Sequence, residues 1–266
     1  MIFASDLDRT LIYSRGAIGE DVGEADLVPV ELYEGRQISF MTKSALHLLE
    51  EITKIALFVP VTTRTVRQYK RIFHLLDVFQ PKYAITSNGG TVLIDGVPDV
   101  NWSRNVQLAL KESSSPEEAK LTFDRFRSSE WIISERLADN FFYSIVVDRD
   151  KFQVPLIDEC RSYLKKLGWT ISVQGRKVYL IPEGINKGNA VNYVKELAGA
   201  RYVAASGDSL LDESLLRVSH YSLSPSHGEL FNTKSSDKFF RFTKQSGIQA
   251  SEELVIEIHK WFKSLI

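Results

Sequence analysis

Four short apolar runs recur along the chain without polar alternation: Ile2-Phe3-Ala4, Ile55-Ala56-Leu57-Phe58-Val59, Tyr83-Ala84-Ile85 and Tyr202-Val203-Ala204-Ala205. Each ends in polar or small residues. Strands covered on both faces have this continuous character, as in parallel sheets. Helical stripes lie between them. Leu46, Leu49 and Ile52 form one; Val66, Tyr69, Ile72, Phe73 and Leu76 a second; Ala190, Val191, Val194 and Leu197 a third, with Gly199 placed to cap it. Strand–helix alternation of this kind predicts an α/β fold with a doubly wound, mostly parallel sheet.

The middle of the chain has another pattern. Ser115-Pro116-Glu117-Glu118 is a capping box with proline at the first helical position. The runs Trp131-Ile132-Ile133 and Phe141 to Val147, and the pair Thr170–Val173 and Lys177–Ile181, predict strands. A helix from about Val154 to Leu167, stopped by Gly168, falls among them and carries Cys160 as a small buried residue. We therefore expect a core made of residues 1–100 and 184–266, with an α+β domain, residues 101–183, inserted. The acidic stretch Ala17 to Gly35, with Glu20, Asp21, Glu24, Asp26, Glu31 and Glu34 and no basic residue, predicts a solvated loop or short helix.

Composition narrows the function. The 266 residues carry a formal net charge of −1, which argues against nucleic acid as a partner. No apolar run approaches the ~20 residues of a membrane helix. The first residues lack a basic start and meet Asp6 and Asp8 early, unlike a signal peptide. A single cysteine offers neither an intrachain disulfide nor a cysteine-rich zinc site. A cytoplasmic protein without membrane association is the expectation; oligomeric state is left open.

Four polar constellations could carry chemistry. Asp6-Leu7-Asp8-Arg9-Thr10 follows the first strand, and D-x-D-x-T arises only about 0.04 times by chance at this composition. Two carboxylates so close raise one another's pKa unless a cation compensates. Gly207-Asp208-Ser209-Leu210-Leu211-Asp212 follows the last apolar run and offers hard oxygen ligands; a helix N-cap is the competing reading. Thr62, Thr63 and Arg64 close the second strand, where a hydroxyl and a guanidinium can donate to a phosphate oxygen. Lys187 opens the Ala190–Leu197 helix. Ligands of open α/β sheets bind outside the carboxyl ends of the strands, so all these groups fall on one edge.

With these four motifs in this order the chain resembles the haloacid dehalogenase (HAD) superfamily of phosphohydrolases. The likeness is closest to its Cof-like, type IIB branch, which includes sucrose-phosphate and mannosyl-3-phosphoglycerate phosphatases. Ser87-Asn88-Gly89 is similar to that branch's Ser-Asn-Gly turn, and the inserted block sits where the branch inserts its cap. The resemblance implies a Rossmann-like core and a Mg²⁺-dependent phosphatase acting on a small phosphorylated metabolite, such as a sugar phosphate. It implies Asp6 as nucleophile through an aspartyl-phosphate, Asp8 as acid and base, and Thr62 and Lys187 as phosphate and charge partners. Asp6, the Asp8 carbonyl and Asp208 would hold the metal, with Asp212 in support. Arg9, Thr62, Thr63, Arg64 and Asn88 are candidate substrate contacts. Two positions depart from the branch: Arg9 stands where relatives have Gly, and Leu211 where they have Asn. Asn186 or Asn189 is a candidate to replace that contact.

Two alternatives stay open. A phosphomutase or phosphotransferase can be built on the same core, and a binding or regulatory protein could retain the fold with weakened catalysis. The run Gly207-Asp208-Ser209-Leu210 also suits an esterase, but no Asp lies three residues before His220, His227 or His259, so Ser209 reads as a turn residue.

Overall fold

The computed structural model describes residues 1–19, 22–152 and 154–266, and the chain divides into two compact units, residues 1–99 with 187–266, and residues 100–186. Glu20 and Asp21 of the acidic stretch lie outside the described residues.

In the first unit the chain runs β1 (Ile2–Ser5), β2 (Leu27–Tyr33), β3 (Arg36–Thr42), α1 (Lys43–Thr53), β4 (Leu57–Pro60), α2 (Val66–Tyr69), β5 (Tyr83–Thr86), β6 (Thr91–Ile94) and β7 (Val97–Pro98). The second unit contributes α3 (Val100–Leu110), α4 (Pro116–Asp124), β8 (Ile132–Ala138), β9 (Phe142–Val147), α5 (Val154–Lys166), β10 (Trp169–Gln174) and β11 (Lys177–Pro182). The first unit resumes with α6 (Lys187–Leu197), β12 (Val203–Ser206), α7 (Glu213–Arg217), β13 (Tyr221–Leu223), α8 (Glu229–Lys234) and α9 (Gly247–Lys263).

The core sheet has the order β13-β12-β1-β4, and every pair in it is parallel. Ser5 at the end of β1 pairs with Ser206 at the end of β12 and with Pro60 at the end of β4, so three strands finish level. A parallel bridge between Val61 and Ile85 brings in β5. All four residues of β1 and all four of β12 are buried, as their unbroken apolar runs require. Phe3, Phe58, Leu49, Ile52, Val255, Ile258 and Phe262 belong to the core under this sheet.

The second unit is a four-stranded antiparallel sheet, β10-β11-β9-β8, packed with α4 and α5 around Phe123, Trp131, Ile145, Cys160, Leu164, Trp169 and Leu180. Ser115 caps α4 by accepting from the Glu118 N–H at 3.2 Å, the bond the capping box predicts. Burial pushes the Cys160 thiol up to about 12, against Arg161, which fits a packing residue better than a reactive one. The fold is α/β with a parallel core sheet and an inserted antiparallel cap, as expected.

Two readings need correction. The stripe Val66–Leu76 is not one helix: α2 ends at Tyr69 and a wide π-type turn follows over Leu75–Phe79. Of the expected stripe only Tyr69 and Ile72 are fully packed; Val66, Phe73 and Leu76 are half-buried, and Leu75, outside the stripe, is buried instead. The acidic stretch is not wholly solvated loop. Its Leu27–Tyr33 segment is β2, hairpin-paired with β3, and Glu31 on it has no exposed surface. A bulge explains this. The β2–β3 register shifts on both sides of Glu31, so Val30 and Glu31, neighbours that strict alternation would send to opposite faces, are both buried.

Candidate active site

The site grows from the level strand ends. Beyond β1 the chain makes a tight turn in which the Leu7 carbonyl accepts from the N–H groups of Thr10, Leu11 and Ile12 at 3.1, 2.9 and 2.9 Å. Arg9 sits within it at φ 63°, a left-handed conformation that strains any residue with a Cβ. That geometry accounts for the glycine expected there. The Tyr13 hydroxyl braces the turn by donating to the Arg9 carbonyl at 2.8 Å. Beyond β12, the Gly207 Cα lies so close under the Asp212 side chain that a Cβ would collide with it. The Asp212 carboxylate in turn accepts from Ser209 N at 2.9 Å and from Ser209 Oγ at 2.7 Å. Ser209 is therefore a turn residue, as the sequence indicates.

Lys187, fully buried at the start of α6, joins the two strand ends. Its Nζ donates to Asp6 Oδ1 at 2.6 Å and to Asp212 Oδ1 at 2.5 Å. Burial opposes its charge, but Asp212 and Asp6 outweigh that and hold it protonated. Thr10 Oγ1 donates to the other Asp6 oxygen at 3.2 Å. Even so, burial lifts Asp6 to about 7, with Lys187 lowering it and Asp212 and Asp8 raising it. Burial, then Asp6 and Asp212, lift Asp208 well above the carboxylate range against the pull of Arg9 and Lys187. Arg9 Nε stands 3.5 Å from Asp208 Oδ2.

One carboxylate oxygen from each of Asp6, Asp208 and Asp212 lies within 4.8 Å of the others. Three buried carboxylates share one buried ammonium, and the surplus negative charge appears as the raised Asp6 and Asp208. This all-oxygen set fits a hard divalent cation, which would reverse the penalty. Lys187 and Ser209 engage both Asp212 oxygens, so Asp212 suits a supporting place beside the ligands.

On the other side of Asp6, Thr62 is fully buried just past β4, and its Oγ1 accepts from Arg64 N at 3.1 Å, leaving its proton to donate elsewhere. The Ser87-Asn88-Gly89 turn holds this loop. Ser87 N donates to the Arg64 carbonyl at 2.8 Å and Asn88 N to the Thr62 carbonyl at 3.0 Å, with all three turn residues at positive φ. Thr63 is half-buried in the loop. Arg64 grips Asp8 with two bonds of 2.7 Å, from Nε and Nη2. Its Nη1 and Nη2 also reach Glu31, at 2.7 and 2.9 Å. The structure thus brings together Asp6, Asp8, Arg9, Thr62, Arg64, Asn88, Lys187, Asp208 and Asp212 at one sheet edge. Leu211 is half-buried in the Asp208–Asp212 turn, and Asn189 is exposed on α6. Sequence reasoning missed Glu31. Its signal was the apolar flank, Leu-Val-Pro-Val before it and Leu-Tyr after it, which the other acidic residues of that stretch lack.

These features define an α/β fold that gathers three carboxylates and a buried lysine at one edge of its parallel sheet. A profile of the sucrose-6F-phosphate phosphohydrolase family matches residues 1–227, and the chain belongs to that family. Among solved structures, the sucrose-phosphatase from Synechocystis, in complex with sucrose and phosphate, superposes with a TM-score of 0.72 at 18% identity, covering 99% of this chain and 98% of that one. A HAD subclass IIB sugar phosphatase gives a TM-score of 0.64 at 13% identity, over 98% and 99% of the two chains. A Thermoplasma acidophilum protein gives 0.60 at 15% identity, over 99% of each. No curated protein sequence matches the chain. Among the described residues no helix is long and apolar enough to cross a membrane.

Proposed function

We propose that the protein is a Mg²⁺-dependent sugar-phosphate phosphatase, with sucrose 6F-phosphate the first substrate to try, acting through an aspartyl-phosphate on Asp6. The observation that carries this reading is the buried Asp6–Lys187–Asp212 bridge beside Asp208, assembled from two level strand ends and a helix start. Asp6 attacks phosphorus and its carboxylate oxygen replaces the sugar alkoxide, splitting one displacement into two. Lys187 pulls Asp6 towards its carboxylate form against the burial that raises it, and offsets charge on the phosphoryl oxygens; the Thr62 hydroxyl donates to one of them. Asp8 gives a proton to the departing sugar oxygen, then takes one from the water that attacks the phospho-aspartate. Asp6, the Asp8 carbonyl and Asp208 would hold Mg²⁺, with Asp212 behind them. When bound, the cation neutralises the clustered carboxylates and the phosphate dianion. Arg9, Thr63, Arg64 and Asn88 line the same edge as candidate substrate contacts.

The test is phosphate release from sucrose 6F-phosphate and a panel of other sugar, polyol and nucleoside phosphates. Turnover should need Mg²⁺, stop on chelation and vanish in a folded Asp6→Asn variant. Substantial turnover by Asp6→Asn, or full activity after exhaustive metal removal, would sink the reading. Slow net release stimulated by a sugar bisphosphate would replace it with a phosphomutase.

A further inference from the structure

Glu31 is a carboxylate with no exposed surface, on a hairpin far in sequence from every motif above. Burying a carboxylate is strongly unfavourable unless hydrogen bonds and cations surround it. Its partners are specific. Ser39 Oγ donates to Oε2 at 2.6 Å, Arg71 Nη2 stands 3.2 Å from Oε1, and Arg64 takes both oxygens in a fork. The same guanidinium takes both oxygens of Asp8 on its other edge.

The asymmetry of exposure gives direction to this chain. The Glu31 side chain is 0% exposed, that of Arg64 11% and that of Asp8 47%. A half-exposed aspartate in a turn would ordinarily sample several rotamers. Here one rigid planar group fixes the plane of its carboxylate, and that group is anchored from the buried side. The Arg64 backbone is pinned as well, by Thr62 Oγ1 at its N–H and by Ser87 N–H at its carbonyl. The bulge in β2 turns Glu31 inward to reach it, and bulges next to active sites commonly re-aim a side chain in this way.

We propose that Glu31 is a positioning residue, acting through the Arg64 fork to fix the Asp8 carboxyl where it delivers its proton to the departing oxygen. This rests on the reading of Asp8 as acid and base given above. A hairpin staple with no part in the reaction would make the same ion pairs, so the test must separate the two.

Leaving-group dependence does so. When the P–O bond to a sugar breaks, the alkoxide needs the proton that Asp8 carries; p-nitrophenolate leaves without one. The constant kcat/KM reports steps up to release of the leaving group, so the later water attack does not enter. Glu31→Gln should lower kcat/KM for the preferred sugar phosphate at least tenfold more than for p-nitrophenyl phosphate. Glu31→Asp should recover part of the difference. Asp8→Asn should show the same bias, larger. Ser39→Ala, a gentler change that removes one Glu31 hydrogen bond, should show it in reduced form and carries the test if Glu31→Gln fails to fold. Equal losses on both esters, or none, in the folded Glu31 or Ser39 variant beside a biased Asp8→Asn overturn the proposal alone. An unbiased Asp8→Asn overturns the reading of Asp8 and this proposal with it.

Discussion

Lys187 shows how much one side chain can determine. Its ammonium is buried between two carboxylates, Asp6 and Asp212, at ion-pair distance from both, with a third, Asp208, close by. Removing one partner of a buried ion pair strands the other charge and typically costs about 3–5 kcal/mol. We expect Lys187→Met to lose turnover and, in chelator, about that much stability, read as a lower urea midpoint at unchanged slope. A stability equal to that of the parent protein would show that the carboxylates are already neutral or solvated. Lys187, Asp6, Asp8, Thr62, Asp208 and Asp212 were legible in the sequence because each lies within a few residues of a recognisable strand end or helix start. Glu31 was not. Its burial depends on Arg64, 33 residues further on, and on a register shift that no local pattern announces.

At the scale of elements, helix α6 delivers Lys187 and must approach α7 closely to do so. A Cβ on Gly188 would run into the Ser214 carbonyl of α7, although Gly188 itself has ordinary helical geometry. Gly188→Ala should therefore push the first turn of α6 outward and move the ammonium off Asp6. Overpacking of this kind costs about 1–3 kcal/mol, and kcat should fall by more than that loss of stability predicts from the folded fraction. Thermal unfolding beside steady-state kinetics checks this; a variant with parental kcat would show that α6 can shift without moving the site. The unbroken apolar runs identified β1, β4, β5 and β12, because strands buried on both faces need no alternation. Helix α9 was missed, although its buried residues Ile248, Leu254, Val255, Ile258 and Phe262 follow a helical period. The break after α2 was hidden, because its three-residue spacing of buried positions resembles a helical stripe until the packing is known. The two-residue turn at Asp95-Gly96, with both residues at positive φ, is the kind of short hairpin signal that Asp-Gly gives locally.

For the whole molecule, each unit holds its own hydrophobic core, and every charged group of the candidate site belongs to the first unit. That concentrates the pH and metal dependence of stability there. Asp6 is raised from 3.8 to about 7, and Asp208 is raised in the same direction. A carboxyl raised on folding binds its proton more tightly in the native state than in the unfolded one, so stability falls as pH rises. The contribution is fully present below about pH 4 and is lost as pH passes through about 7. Without metal, the unfolding temperature should therefore decline across this window by more than it does in an Asp208→Asn variant, which carries one carboxyl fewer. Mg²⁺ should reverse the trend, since it binds the ionised carboxylates and competes with their protons. The rise in Tm on adding millimolar Mg²⁺ should be small near pH 5 and grow towards pH 8. Hydrogen exchange at pH 8 should place the added protection in residues 1–99 and 187–266, with the amides of residues 100–186 changed less. A Mg²⁺ shift that stays constant from pH 5 to 8 would mean that the cation binds away from the Asp6–Asp208 cluster.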